Sequence, residues 1–197
     1  MASQPIPRLT EADYLAIEAK AEFKSEFFQG EMFAMSGASP DHDRIQGDFL
    51  TELNVRLAQG QCEVFTSDTR VRVGATGLYT YPDISIVCGS AHFLNPVTGT
   101  LLNPVVVVEV LSPSTEAYDR GAKFHRYQAL SSIAEYVLVS QDMPLVEVFS
   151  RNADETWTLH PYSGLSDSCR IESLGIEVPL ARIYRRVQFP ASPHTGN

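Results

Sequence analysis

No run of apolar residues in this chain approaches the roughly 20 that a bilayer-spanning helix requires. The N-terminus, Met1-Ala2-Ser3-Gln4-Pro5-Ile6-Pro7, has no basic region followed by an apolar one, so no secretory signal and no membrane partner are expected, and a cytoplasmic location is. Cysteine is scarce. Cys62, Cys88 and Cys169 are odd in number, far apart and without metal-ligand spacing, and are expected as reduced, mostly buried thiols. Net positive charge is also missing. Fifteen Lys and Arg stand against 24 Asp and Glu, a net charge of -9, which argues against a general polyanion-binding surface. A local basic groove remains open, with Arg70 and Arg72, then Arg120, Lys123 and Arg126, then Arg182, Arg185 and Arg186 as the clustered cations. There is no internal repeat, no low-complexity tract and no linker.

What is present is a chain of 197 residues, 44% apolar and 20% charged, enough to bury the core of one domain. That domain is expected over 9–187, between an N-terminal arm (1–8) and a mobile C-terminal tail (188–197). Thr10 opens a first helix with acids in its first turn and a partial stripe of Tyr14, Leu15 and Ile17. Phe27–Met35 reads as a hairpin turning near Gln29-Gly30. Ser39-Pro40-Asp41 caps a second helix, whose Ile45, Phe49, Leu53 and Leu57 recur every four residues. Glu63-Val64-Phe65 and Arg70-Val71-Arg72-Val73 read as one strand, or two linked by a kink. Ile84–Val87 and Val105–Val110 read as buried central strands, and a third helix is expected over about 116–130. Glu135–Val139 follows as a buried strand. Val146–Phe149 and Thr156–Leu159 look like an antiparallel edge pair, and Leu174–Tyr184 like a last strand and short helix. The order implies an α/β fold with helices outside a central mixed sheet and additional antiparallel strands.

Chemistry concentrates in three residues. Glu109 lies inside the apolar run Val105-Val106-Val107-Val108-Glu109-Val110-Leu111, where an ionised carboxylate is costly without a metal, a cation or several donors. Asp83, after Pro82, stands at the mouth of the neighbouring strand. Lys123 lies on the next helix, four residues after Asp119. Asp83, Glu109 and the backbone carbonyl of Val110 are the oxygens a Mg²⁺ or Mn²⁺ ion would take, and Lys123 would neutralise charge on a phosphate. These are the parts of a metal-dependent phosphodiesterase. Tyr127, one turn beyond Lys123, either orients a phosphate or packs on the sheet, and Asp68 is an extra acid on the arginine-bearing segment. Arg70, Arg72, Arg120 and Arg126 are the candidate phosphate contacts.

Pro82-Asp83 followed by Glu109-Val110-Leu111 resembles the PD-(D/E)XK nuclease superfamily. The string Val107-Val108-Glu109-Val110-Leu111-Ser112-Pro113-Ser114-Thr115, with Tyr118-Asp119-Arg120-Gly121 and Lys123-Phe124 through Tyr127, is similar to one bacterial branch, a restriction-endonuclease-like family once catalogued as a domain of unknown function. The resemblance extends from about Leu9 to Arg186. It implies a restriction-endonuclease-like fold, Mg²⁺ or Mn²⁺, and phosphodiester hydrolysis in DNA. The superfamily's lysine two residues after the acid is replaced here by Leu111, and Lys123 matches the branch's displaced lysine. Glu26 and His42 match two further branch positions: the resemblance implies a supporting carboxylate at Glu26, which otherwise reads as a surface acid before the hairpin, and at His42 a histidine that touches substrate or assists proton transfer, which otherwise reads as stabilising the first helical turn with Asp41 and Asp43.

Two other functions share these residues. One is a catalytically weak descendant that binds DNA or a protein partner, favoured by the negative charge and the missing strand lysine. The other is a hydrolase of small phosphoesters, which needs a closed pocket. A homodimer is expected for a nuclease that cuts both strands of two-fold symmetric duplex DNA.

Overall fold

The computed structural model describes residues 8–35, 37–95 and 99–189. Helix α1 (Glu11–Glu18) starts at Thr10, whose hydroxyl accepts from the Asp13 N–H while Asp13 caps the Thr10 N–H in return. Strands β1 (Ser25–Phe28) and β2 (Glu31–Ala34) form the expected hairpin. Its two-residue turn has positive φ at both Gln29 (50°) and Gly30 (89°), the geometry that favours glycine. Helix α2 (Pro40–Leu57) has Ser39 as N-cap and proline in its first turn. Then follow β3 (Cys62–Thr66), β4 (Val71–Val73), β5 (Leu78–Thr80), β6 (Ile84–Cys88) and β7 (Val106–Val110). The crossover consists of α3 (Glu116–Tyr118), a π-helical turn (Asp119–Lys123) and α4 (Phe124–Tyr127). After it come β8 (Glu135–Val139), β9 (Leu145–Arg151), β10 (Trp157–Ser163), β11 (Ser168–Ile171), β12 (Ile176–Pro179) and α5 (Leu180–Ile183).

The main sheet runs β10-β9-β8-β7-β6-β3 and is mixed: β7 and β8 are parallel, all other pairs antiparallel. The parallel pair requires a crossover, and the broken helix supplies it. A four-stranded sheet, β2-β1-β5-β4, and a two-stranded ribbon, β11-β12, complete the α/β architecture. Alternation along β7 divides the interior. Val106, Val108 and Val110 face a core that includes Ile45, Phe49, Leu53 and Leu57 of α2, with Val178 and Ile183. Val107 faces the opposite core, with Val71, Leu78, Tyr127 and Tyr136.

Several expectations change. Residues 62–73 form two strands that belong to different sheets, rather than one strand or two linked by a kink. The third helix is interrupted by the π turn. In α1, Ile17 is 45% exposed, and the buried positions are Tyr14 and Glu18. The ribbon strand β11 has no counterpart among the expected strands. Cys62 and Cys88 are not reduced thiols: they oppose each other across β3 and β6 and form a disulfide, while Cys169 is free and buried. Their separation of 26 residues hides a pairing that only strand register creates. The expected arm and tail lie outside the described residues except Arg8, Gln188 and Phe189; Phe189 packs edge-on against Tyr184. Among the described residues no helix is long and apolar enough to cross a membrane.

Phe49 is fully buried where α2 meets the sheet. Phe49→Ala is expected to lower unfolding free energy by about 3–5 kcal/mol in a denaturant titration, through reduced burial and a residual cavity.

Candidate active site

Glu109 is 4% exposed and shares the Val107 face of β7. Because β6 and β7 are antiparallel, with Ile84 opposite Val108, the residue before β6 meets the end of β7. That residue is Asp83. Its Oδ2 accepts the Val110 N–H at 2.7 Å and lies 3.2 Å from His42 Nε2. Gln46 Nε2 donates to the Asp83 carbonyl at 2.8 Å, so the first two turns of α2 brace this acid.

Lys123, also 4% exposed, points inward from the π turn. Its Nζ lies 2.8 Å from Glu109 Oε1, 3.3 Å from Glu26 Oε1 and 3.3 Å from Asp119 Oδ1. Glu26, on β1, accepts from the Thr80 hydroxyl and, at 3.0 Å, from the Tyr118 hydroxyl, which itself accepts from Arg126 Nη1 at 2.7 Å. Tyr136 donates to the Asp119 carbonyl at 3.0 Å. Among the described residues the buried Tyr127 hydroxyl has no hydrogen-bond partner, and Glu109 Oε1 and Asp119 Oδ1 are buried with the Lys123 ammonium as their close charged neighbour.

Four carboxylates therefore face one ammonium and one imidazole, and the charges do not balance. Burial pulls the Lys123 pKa down, but Glu109, Glu26 and Asp119 outweigh it and hold the ammonium protonated well above the usual lysine range. Burial raises Glu109 well above the carboxylate range; Lys123 opposes this, and Asp119 and Asp83 add to it. Burial also raises Asp119, against the pull of Lys123. For Glu26, burial is outweighed by Lys123, Thr80 and Tyr118, and its pKa falls. His42 is raised because Asp83 outweighs burial.

The structure thus gathers Glu26, Glu109 and Lys123, with Asp83 and His42 alongside and Tyr127 against the cluster. Asp119, Tyr118 and Thr80 join them, although sequence reasoning does not single them out as site residues. The signal for Asp119 is its spacing of four from Lys123, which by itself reads only as a helix ion pair. Asp68 lies elsewhere, paired with Lys24. Among the four arginines, Arg70 is 7% exposed beneath Tyr14, Tyr79 and Tyr81 and donates to Thr100 and Tyr81, so its burial leaves it no surface to offer a groove. Arg72 pairs with Glu11, Arg120 with Glu116 and Glu147, and Arg126 stacks on Phe28 at 3.6 Å. A cavity of about 660 Å³ is lined by Leu15, Glu18, Arg70 and Leu94 rather than by the acidic cluster. Among the described residues no set of three or more His, Cys, Asp or Glu side chains is arranged to hold a metal ion.

The fold, a central mixed sheet flanked by helices with extra antiparallel strands, is a nuclease-like fold related to restriction endonucleases. Residues 11–181 match the family Uma2, described as "Putative restriction endonuclease", and the chain belongs to that PD-(D/E)XK-like family. An uncharacterized protein of Synechocystis sp. is 36% identical over 187 residues, covering 95% of this chain and 97% of its own length. A second uncharacterized protein from the same organism is 33% identical over 156 residues, covering 79% of this chain and 88% of its own. The fold is shared with a crystal structure described as "a putative nuclease belonging to DUF820" from Anabaena variabilis, with a TM-score of 0.70 at 17% identity, covering 88% of this chain and 96% of that one.

The charge imbalance has a pH signature. Between the ordinary carboxylate range and the raised values of Glu109 and Asp119, the folded metal-free protein holds protons that the unfolded chain releases, so stability falls as pH rises. Glu26 has the opposite sign, but its contribution is lost only below the ordinary range, and that of Lys123 only in strong alkali; His42, raised by Asp83 against burial, adds to the fall above the ordinary imidazole range. In chelator, Tm is expected to be higher near about pH 5.5 than near about pH 8, with Glu109→Gln flattening the slope. A wild-type Tm that climbs steadily across this interval contradicts the assignment.

Proposed function

We propose that this protein is a Mg²⁺-dependent DNA endonuclease, with Mn²⁺ as an alternative ion, that hydrolyses phosphodiester bonds. The observation that carries the reading is the buried Lys123 ammonium directed at Glu109 within an excess of carboxylate charge. The donors suit a hard dication: they are oxygens, and Glu109 Oε1, beside the Lys123 ammonium, is buried without a hydrogen-bond partner among the described residues. Asp83, Glu109 and the Val110 carbonyl would hold the ion, with Glu26 in support. When bound, it supplies polarisation of a phosphate oxygen and a water of lowered pKa.

The remaining steps belong to the chain. Lys123, protonated throughout the neutral range, neutralises charge that develops on a non-bridging phosphate oxygen. His42, oriented by Asp83 through Nε2, offers for a proton its buried Nδ1, which lies 4.0 Å from Asp43 Oδ1 and has no hydrogen-bond partner among the described residues. Tyr118 and Thr80 fix Glu26, and Tyr127 confines the Lys123 stem. Arg72, Arg120 and Arg126 are the candidates for flanking phosphates; Arg70, buried on Thr100 and Tyr81, is not among them. The substrate in this reading is double-stranded DNA, cut by a homodimer in the cytoplasm.

A second reading, a catalytically weak module on the same fold that binds DNA or protein, is favoured by one observation: no ready-made trio of metal ligands exists among the described residues. Supercoiled plasmid with Mg²⁺ or Mn²⁺ separates the two. Wild type is expected to nick or linearise it. Asp83→Ala and Glu109→Gln are expected to lose both metal binding by calorimetry and cleavage. Lys123→Ala is expected to keep metal binding and lose about 10²-fold or more in rate. Binding of DNA without cleavage favours the second reading, and undiminished cleavage by Asp83→Ala overturns the site.

A further inference from the structure

The acidic cluster leaves one strongly charged feature unused, on the opposite side of the main sheet. Asp48 and Glu52 are buried acids one turn apart on α2. Each grips two arginines. Asp48 accepts from Arg185 Nε at 2.7 Å and from Arg186 Nε at 3.0 Å. Glu52 accepts from Arg182 Nε at 2.8 Å and from Arg56. Arg182 lies on α5, and Arg185 and Arg186 in the turn after it.

Burial is one-sided. The Asp48 and Glu52 side chains are 0% and 6% exposed, whereas those of Arg182, Arg185 and Arg186 are 58%, 44% and 52% exposed. The acids hold the guanidiniums from beneath and leave their outer N–H groups in solvent. Anchoring α5 to α2 needs one arginine per acid. Two per acid leave a net of +2 on this patch, in a chain whose total is -9. The next arginine along α2, Arg44, is neutralised by Asp41. Guanidiniums held on their Nε side by an acid present their remaining N–H groups to a phosphate and lose little freedom on binding.

The position of the patch is also informative. Helix α2 begins at the site, where His42 meets Asp83. Asp48 lies about 9 Å and Glu52 about 15 Å further along the axis. That span matches roughly four nucleotides of one duplex strand at about 3.4 Å each. We propose that Arg182, Arg185 and Arg186 form a phosphate cradle along α2 that anchors the backbone of duplex DNA on its way to the acidic site, with Arg56, 26% exposed and bonded to the Glu177 carbonyl, bracing Glu52 beneath them. The identity of the occupant rests on the nuclease reading. The cradle holds the backbone without reading sequence.

The test is the anisotropy of a labelled duplex titrated with the full chain in chelator over a range of salt, with plasmid cleavage in Mg²⁺ measured in parallel. Arg185→Gln/Arg186→Gln keeps amide donors for Asp48. It is expected to weaken binding about tenfold or more and to reduce the slope of log K against log salt by roughly 0.9 for each phosphate the variant no longer neutralises. Arg170→Gln, an exposed arginine on the ribbon, is expected to change neither. If circular dichroism shows the double variant unfolded, Arg182→Gln, which leaves Arg56 on Glu52, carries the same expectation. Folded variants that bind with wild-type affinity and slope overturn the cradle, and the nuclease reading survives if the plasmid is still cut. Arginine-dependent binding without any wild-type cleavage supports the cradle and overturns the nuclease reading. Wild type that does not bind the duplex overturns the cradle.

Discussion

A lysine ammonium buried among three carboxylates is the constraint on which the rest of the site depends. Removing such ions from water costs several kcal/mol each, and close partners must return it. Lys123 finds them on three separate pieces of chain: Glu26 on β1, Glu109 on β7 and Asp119 on its own turn. The cluster therefore ties the small sheet, the main sheet and the crossover together at one point. Asp119 and Lys123 point inward together from the π turn, with Tyr127 beyond them. An inserted residue in a helix is costly to keep without a use, and π turns concentrate at functional sites for that reason.

The sheet sorts its contents by face. Along β7, one side carries only valines and receives the apolar stripe of α2, while the other carries Glu109 and receives every charged partner. Helix α2 serves both sides: Phe49 and Leu53 close the apolar core, while His42 and Gln46 reach round the end of β6 to Asp83. The same helix carries Asp48 and Glu52 on its flank, where burial forces them to recruit arginines. A negative interior site and a positive outer flank thus share one rigid element.

Much of this is readable from local pattern. The four-residue recurrence of Ile45, Phe49, Leu53 and Leu57 marks α2, and Gln29-Gly30 marks the hairpin turn. Glu109 stands out because a carboxylate in a run of valines needs an explanation that its neighbours in sequence cannot supply. Pairings between distant segments are not readable. The Cys62–Cys88 disulfide follows from register across β3 and β6, and β3 and β4 belong to different sheets although they are close in sequence. Glu18 in α1 has the pattern of a solvated acid, yet Tyr81 and the Ser25 N–H draw it inside. Arg70 and Arg72 alternate with valines as a polar face would, but tyrosines and Glu11 occupy them.

The order of residues alone determined the valine strand with its misplaced acid, the acid at the mouth of the next strand, the lysine on the following helix and the membership these imply. These are properties of short windows, where side-chain alternation and helix caps act within a few residues. Only tertiary structure decided that Lys123 would face Glu26 and Asp119 as well as Glu109, that Asp83 would be held by His42 and the Val110 N–H, and that four arginines would gather over two buried acids. Those outcomes depend on which charges lose their water together, and that is set by how distant segments pack.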